Sequence, residues 1–415
     1  MWQGIKNIYH YFVAMAAASW YGFPSNKLIV IGVTGTDGKT TTVHMIYQML
    51  KAAHKKVSMV STIAAVVGGK THETGLHVTT PDPFLLQKFL KQAVDHGDTY
   101  FVLEVSSHSL DQNRVAFTHF TVGVLTNLSH EHLDYHKTFA NYANAKFKLL
   151  RAAQEVVVIP FDGIPKEVLP YADFNNTTKE IITFGLSKGK EIQRNWQFHL
   201  AVPGDYNILN ALAAAGVGNV LGLQKKTILQ GLEKFTGIPG RFEEIKTGKN
   251  FRVIIDFAHK PNALEQVLKS ARKYVQEKGR VIVMYGCASE RDILKRPMMG
   301  AISGRLAEIT VLTDEDPRWE DSIKILSEIA KGCRDAGAVE VEHHKYRRAL
   351  KTKKHVFFKI PNRQKAIEFI IKELAQEGDI ILLCGKGHEK SISYRGIEEP
   401  WSEHAAVRQA LEASS

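Results

Sequence analysis

The chain has 415 residues, 44% of them hydrophobic and 23% charged, which suits two or three globular domains and excludes a disordered or fibrous polypeptide. Lys and Arg number 54 against 43 acidic residues, a formal charge of +11, so anionic partners are favoured: nucleotides, phosphorylated substrates, an acidic membrane face or nucleic acid. Cys287, Cys333 and Cys384 form no C-x-x-C pair; a disulfide framework and a Cys-rich zinc site are excluded, and a reducing, cytoplasmic setting fits.

Residues 1–27 precede the first predicted strand. Within them Tyr9–Pro24 is apolar and aromatic, but its stretch of about 15 residues is shorter than the ~20 a spanning helix needs. The main reading is a helix packed on the protein body. Peripheral contact with a membrane through Lys6 and the aromatics is the second, and a signal peptide the third. From residue 28 short β-branched runs alternate with amphipathic stretches. Strands are predicted at 28–33, 56–62, 99–105, 120–128 and 155–160, with helices at 41–53 and 83–97. That alternation predicts an α/β fold with a mainly parallel sheet covered on both faces. The Gly-Pro-Gly cluster of 236–241 reads as a linker, placing a first domain at 28–237 and a second, smaller α/β domain at 238–415. The second carries predicted strands at 252–257, 279–286, 308–314, 355–360 and 379–385.

The strongest chemical signal is Gly32-Val33-Thr34-Gly35-Thr36-Asp37-Gly38-Lys39-Thr40-Thr41. It follows a strand and opens a helix, where backbone N–H groups and a helix N-terminus attract phosphate. In such a loop Lys39 reaches the β- and γ-phosphates and the Thr40 hydroxyl ligates Mg²⁺. Glu104 ends another strand, where a second metal ligand is placed in nucleotide-hydrolysing sheets. His130, Glu131, His132, Asp134 and His136 crowd a third strand end. Their spacing fits no standard zinc motif, and imidazole is an unusual partner for oxygen-seeking Mg²⁺. In the second domain, polar turns at 256–261 and 385–389 follow apolar runs, on the edge where open α/β sheets bind ligands; they suggest a ligand held between domains. The basic run 345–355 reads as a solvated face, since no nucleic-acid motif accompanies it. Cys384 reads as a core thiol, and Lys146, taken alone, as an exposed helix lysine.

Together these residues resemble the Mur ligase family, most closely its MurE-type branch, the UDP-N-acetylmuramyl-tripeptide synthetases. The resemblance covers residues 28–408 and rests on ordered motifs: GTDGKTT (35–41), TTPD (79–82), EVSSHSL (104–110), TNLSHEHLDYH (126–136), GDYNILNALAA (204–214), PGRFE (239–243), DFAHKP (256–261), RDILKRPM (291–298), DPR (316–318) and GKGHE (385–389). It implies a central P-loop-like parallel-sheet domain followed by a Rossmann-like one. It also implies a cytoplasmic, monomeric enzyme of cell-wall peptide synthesis that uses no nucleic acid. The reaction implied splits ATP, activates a peptide carboxylate as an acyl phosphate and lets an amino acid displace the phosphate. The partners are a nucleotide-sugar peptide or related acceptor and an amino acid, meso-diaminopimelate or lysine.

Residue by residue, the resemblance gives Gly35, Thr36, Asp37, Gly38, Lys39, Thr40 and Thr41 to ATP phosphates and the first Mg²⁺. Glu104, His132 and a carbamylated Lys146 go to a second Mg²⁺. Asn207 and Asn210 lie near adenine, Arg241 at nucleotide phosphate or ribose, and Asp256 at ribose. His259 and Lys260 face the reaction centre. Thr79, Thr80, Ser106 and Arg114 hold the acceptor, while Arg291, Asp316, Arg318, Gly385 and Glu389 read the incoming amino acid. An Arg suits a distal carboxylate, so Arg318 weighs towards diaminopimelate. Asp316 stands where the family has Asn, which keeps lysine open. MurE-type enzymes carry a further N-terminal domain that grips uridine nucleotide, and only about 27 residues precede the first predicted strand here, so a different carrier on the acceptor is a second expectation. A folylpolyglutamate synthase-like ligase and a non-ligating nucleotide switch are the alternative readings.

Overall fold

The computed structural model describes residues 2–72, 79–162, 164–168, 179–186, 196, 198–289, 292–352 and 355–413. The chain divides into two compact units, Met1–Thr236 and Gly237–Ser415.

The first unit runs α1 (Trp2–Trp20), β1 (Ile29–Thr34), α2 (Lys39–Ala52), β2 (Val57–Val60), β3 (Ala65–Val67), β4 (Lys70–His72), α3 (Pro83–His96), β5 (Tyr100–Glu104), α4 (Ser107–Asp111), β6 (Val122–Leu125), α5 (Leu133–His136), α6 (Phe139–Ala152), β7 (Val156–Pro160), β8 (Glu180–Phe184), α7 (Asp205–Val220) and α8 (Lys225–Glu233). Its sheet has the order β4-β3-β2-β5-β1-β6-β7-β8. The strands from β2 to β8 pair in parallel. Aliphatic runs such as Val30, Ile31 and Val33, or Phe101, Val102 and Leu103, are fully buried, as expected of a sheet covered on both faces. The antiparallel pair β3–β4 extends one edge; it is too short and too polar to show as a period-2 pattern. Helix α1 rests on α3 through the small side chains of Ala14, Ala17 and Ala18, agreeing with the packed-helix reading.

Two predicted boundaries shift for a physical reason. Helix α2 begins at Lys39 rather than 41 because Gly38 takes a left-handed φ of +77° and ends the loop there. Strand β6 stops at Leu125 rather than 128, because Thr126, Asn127 and Ser129 leave the sheet to bond the loop after β1.

The second unit runs β9 (Glu243–Ile245), β10 (Arg252–Asp256), α9 (Pro261–Tyr274), β11 (Val281–Tyr285), α10 (Lys295–Leu306), β12 (Ile309–Leu312), α11 (Ser322–Asp335), β13 (Val339–Glu340), α12 (Tyr346–Thr352), β14 (Val356–Lys359), α13 (Arg363–Phe369), β15 (Ile380–Cys384), β16 (Ser391–Tyr394), β17 (Ile397–Pro400) and α14 (Glu403–Glu412). Its sheet order is β13-β14-β12-β11-β15-β10-β9, with β16–β17 as a separate hairpin. Only β9 pairs antiparallel in that sheet. Leu264, Val267, Met299, Ile325 and Ile329 from α9, α10 and α11 build one core layer with the sheet, and Ala366, Ile367, Ala406 and Val407 from α13 and α14 build another. This is the Rossmann-like sandwich expected of the second domain. Cys384 is buried in β15.

Candidate functional site

In the first unit the chemistry gathers where β1, β5 and β6 end. The loop after β1 turns back because Gly35 and Gly38 leave no room for a side chain. A Cβ on Gly35, at φ +150°, would lie 1.8 Å from Thr126 Oγ1, and one on Gly38 would lie 2.2 Å from Asn210 Oδ1. The loop is then keyed to the 126–129 segment. Asp37 N–H donates to Asn127 Oδ1 (2.9 Å), and the Thr126 hydroxyl donates to Asp37 O (2.6 Å). Ser129 N–H donates to Thr36 Oγ1 (3.0 Å). Asn127 was quoted within a motif but given no role. What fixes it, a side-chain amide bonded to the Asp37 backbone across 90 residues, has no local signature.

Lys39, on the first turn of α2, donates to the carbonyls of Gly35 (3.0 Å) and Thr36 (2.9 Å). Lys146 donates to the same Gly35 carbonyl at 2.6 Å and is 2% exposed, which corrects its reading in isolation as a surface lysine. It lies over the Tyr142 ring, 4.6 Å from the centroid. Tyr142, one turn earlier on α6, is itself buried, and its hydroxyl lies 3.0 Å from Thr36 Oγ1. Burial pushes the Tyr142 phenol well above its usual range, so it is a neutral hydrogen-bonding group. The i, i+4 spacing of Tyr142 and Lys146 was the available signal for it. Two lysine side chains converge on one carbonyl at this end of the loop, and Lys39 at the start of α2 supplies the positive charge that an anionic triphosphate needs.

Thr40 donates its hydroxyl proton to Glu104 Oε1 (3.0 Å), and Thr62 N–H donates to Oε2 (2.8 Å). A loop hydroxyl and a buried strand-end carboxylate are hard oxygen donors of the kind Mg²⁺ takes, so this pair fits the implied cation. His132 stands in a left-handed turn before α5, pairs with Glu131 at 3.1 Å and packs edge-on against His108. Burial lowers the affinity of His108 for a proton. It does the same for His136, pushed down to about 4, so at neutral pH both are uncharged. Among the described residues no three His, Cys, Asp or Glu side chains form a metal-binding group. Glu104 and His132 are therefore not part of a three-ligand metal group of unmodified side chains.

Of the residues given to the acceptor, Thr80 is fully buried and its hydroxyl is engaged by Glu104 O and Ser106 N–H. Ser106 caps α4 through Ser109 N–H. Arg114 donates to Thr80 O at 3.2 Å, while its Nε is buried without a partner, an unspent donor beside the half-buried Thr79. Thr80 and Ser106 therefore shape the strand end, and Arg114 is the group left with bonding capacity. On α7, Asn210 Nδ2 donates to Asn207 Oδ1 (3.3 Å), and Asn207 Nδ2 donates to Pro203 O (2.7 Å). Thr41 is buried on the first turn of α2.

In the second unit Asp256 ends β10. Its carboxylate accepts from Phe242 N–H and Ala258 N–H, each at 2.7 Å, and so pins the turn that carries Arg241. The Arg241 guanidinium lies over the Phe257 ring, 4.4 Å from its centroid, with Nε buried and unpartnered. His259 bonds Phe257 O through Nδ1 (2.8 Å), and Lys260 is the residue before α9. Asp316 is buried. Its Oδ1 accepts from Lys386 Nζ and Ser393 N–H, both at 2.9 Å, and Lys386 also pairs with Glu389 at 2.6 Å. Asp316 and Glu389 are thereby linked through one fully buried lysine, which motif reading passed over. The acid in place of Asn is balanced by its own counter-charge. Glu315 beside them is buried next to Gly385, and burial raises its proton affinity. Arg318 has a left-handed φ of +48° and joins Ser393 and Arg395 through its backbone. Arg291 lies outside the described residues. Of the basic run 345–355, Lys353 and Lys354 also lie outside them; Lys345, Arg347 and Lys351 are exposed.

A model described as the Mur ligase middle domain matches residues 33–218, and one described as the Mur ligase, glutamate ligase domain matches residues 240–387. The UDP-N-acetylmuramoyl-L-alanyl-D-glutamate--2,6-diaminopimelate ligase of Alkaliphilus metalliredigens is 37% identical over 396 residues, which cover 91% of this chain and 76% of that protein. A solved UDP-N-acetylmuramoyl-L-alanyl-D-glutamate--2,6-diaminopimelate ligase aligns with a TM-score of 0.60 at 28% identity, over 93% of this chain and 78% of that one. The folylpolyglutamate synthase of Mycobacterium tuberculosis, solved with ADP and AMPPCP, has a TM-score of 0.68 over 90% and 91% of the two chains. At 17% identity that likeness is one of fold alone.

Proposed function

The chain belongs to the Mur ligase family, and we propose that it joins 2,6-diaminopimelate to the free carboxylate of a UDP-N-acetylmuramoyl-L-alanyl-D-glutamate-type acceptor at the expense of ATP. The observation that carries this reading is the pair of lysines on the Gly35 carbonyl beside the Thr40–Glu104 contact. The reaction must bring a carboxylate against a γ-phosphate, two anions that repel. Lys39 binds the phosphates, and the loop N–H groups orient them at the helix N-terminus. The gain is in positioning and in stabilising the negative charge that grows on the transferred phosphoryl group.

Thr40 would hold a first Mg²⁺ and Glu104 with His132 a second, and the bound ions would neutralise more of that charge. Lys146 carries a carbamate in this reading. The change turns one of the two lysines on the Gly35 carbonyl into an acid, and so supplies the second set with a further oxygen donor. Asn207 and Asn210 receive the adenine, Arg241 and Asp256 the ribose and phosphates, and His259 and Lys260 lie at the reacting groups. Arg114, with Thr79, holds the acceptor. Arg318, supported by Asp316, Gly385 and Glu389 and joined by Arg291, reads the amino acid. A monomer acting in the cytoplasm, with no nucleic-acid partner, belongs to the same reading.

The test is phosphate release from ATP with the purified chain. UDP-linked and UDP-free muramyl dipeptides are each paired with diaminopimelate, lysine or glutamate. Release is expected only when acceptor and diaminopimelate are both present. Steady release without an amino acid overturns the ligase reading in favour of a nucleotide switch.

A further inference from the structure

Helix α1 is built inside out. At ~100° per residue, Ala14, Ala17 and Ala18 share the side that packs, and they are buried. Asn7 lies on that side too and reaches Asp111 Oδ2 at 3.4 Å. The opposite half of the helix carries Ile5, Ile8, Tyr9, Tyr11, Phe12, Met15 and Trp20, all exposed; Ile8 is 60%, Phe12 56% and Trp20 80% accessible. An amphipathic helix ordinarily buries its large apolar residues and shows water its small and polar ones. A contiguous apolar surface of this kind marks an interaction site.

The order of residues around the exposed arc says what covers it. Ile8, Phe12 and Met15 occupy the middle, Tyr11 stands at one border, and Tyr9 and Trp20 at the other, with exposed Lys6 next to them. Amphipathic rings at the borders of an apolar strip match the boundary between hydrocarbon and headgroups. The charge agrees. The first 36 residues contain Lys6 and Lys27 and no acidic residue, within a chain of net charge +11. Such a charge repels a second copy of the chain and attracts an anionic bilayer. Among the described residues no helix is long and apolar enough to cross a membrane, so the helix lies along the surface.

We propose that the outer face of α1 docks this protein on an anionic membrane surface, with Ile8, Phe12 and Met15 inserted below the headgroups and Lys6 and Lys27 at the lipid phosphates. The proposal does not depend on the substrate assignment.

The test is co-sedimentation with vesicles of phosphatidylcholine alone and of phosphatidylcholine mixed with phosphatidylglycerol. The protein is expected to pellet several-fold more with the mixed vesicles, and less as salt is raised. Ile8→Ser/Phe12→Ser/Trp20→Ser should stay in the supernatant with its ATP turnover unchanged. Lys6→Glu/Lys27→Glu, which leaves the apolar face intact, should lower the pelleted fraction several-fold. Equal pelleting with both vesicle types, or none with either, overturns the proposal. So does pelleting of the triple-serine variant at the wild-type level. A wild-type dimer in light scattering that the triple variant converts to a monomer, without vesicle binding, overturns it in favour of a second copy on this face.

Discussion

Lys39 and Lys146 donate to one and the same carbonyl oxygen, that of Gly35. They arrive from different helices, 107 positions apart in sequence, and meet at the loop between β1 and α2. A buried ammonium costs several kcal/mol of desolvation, so packing alone does not account for the position of Lys146.

That separation of purposes can be measured. Lys146→Met keeps the volume and removes the desolvation cost of the ammonium, and the Gly35 carbonyl keeps Lys39 as its donor. The variant should melt at or above the wild-type temperature by calorimetry while its ligation rate falls ~100-fold or more, the scale of losing one preorganised electrostatic group. Added formate or acetate should restore part of the rate to Lys146→Ala by occupying the place of the carbamate. Wild-type turnover in Lys146→Ala would remove the residue from the reaction.

A second lysine-free pair tests the architecture of the other unit. Arg363 and Glu403 are a fully buried ion pair, and Arg363 also donates to the carbonyls of Asp314 (3.1 Å) and Cys384 (2.8 Å). Removing one partner strands the other, at a cost of ~3–5 kcal/mol. Arg363→Met should lose that much in urea unfolding, and Arg363→Met/Glu403→Leu should recover a large share. A double variant as unstable as the single one would mean that the two carbonyl contacts, not the ion pair, hold α13 in place.

Asp314 provides a pH signature. Burial raises its carboxyl to about 6 against 3.8 for the free group. The folded protein therefore holds a proton there more tightly than the unfolded chain. The resulting stabilisation is full below pH ~4 and is lost as pH rises through about 6. Asp314→Asn should remove this slope. Subtracting melting temperatures of variant and wild type between pH 4 and 7 isolates it from other groups. A flat difference curve would show that Asp314 stays charged throughout.

Arg318→Ala should harm the use of diaminopimelate far more than that of lysine, since only the former has a distal carboxylate for a bidentate Arg. The measurement is kcat/KM for each amino acid. Equal losses would mean that Arg318 does not read that carboxylate. Because Asp316 is already bonded to Lys386, Asp316→Asn should change the diaminopimelate-to-lysine preference little.

The alternating strands and helices were legible because buried parallel strands appear as unbroken aliphatic runs, such as Val30–Val33 and Ile380–Leu383. The tight turn between β1 and α2 was legible because Gly35, Gly38, Lys39 and Thr40 lie within six positions. What escaped was set by tertiary contact. Tyr142, Asn127 and Lys386 belong to unremarkable local sequence and gain meaning only from partners far along the chain. Lys146 was misjudged in isolation for the same reason. Helical periodicity placed it on a helix but did not say that the face was covered. The hairpin β3–β4 and the strand β9 escaped because three residues are too few to establish a period.

Those short strands have a consequence for how the protein behaves in concentrated solution. Among the described residues, three of the four borders of the two large sheets end in segments of two or three residues, β4 with Lys70, β13 with Glu340, and β9 with Glu243 and Glu244. An incoming peptide finds few open backbone groups there and meets a charge at once. Those three borders are thereby guarded against ladder-like polymerisation, and sheet-to-sheet association, if it occurs, should be sought at β8 or at the exposed β17.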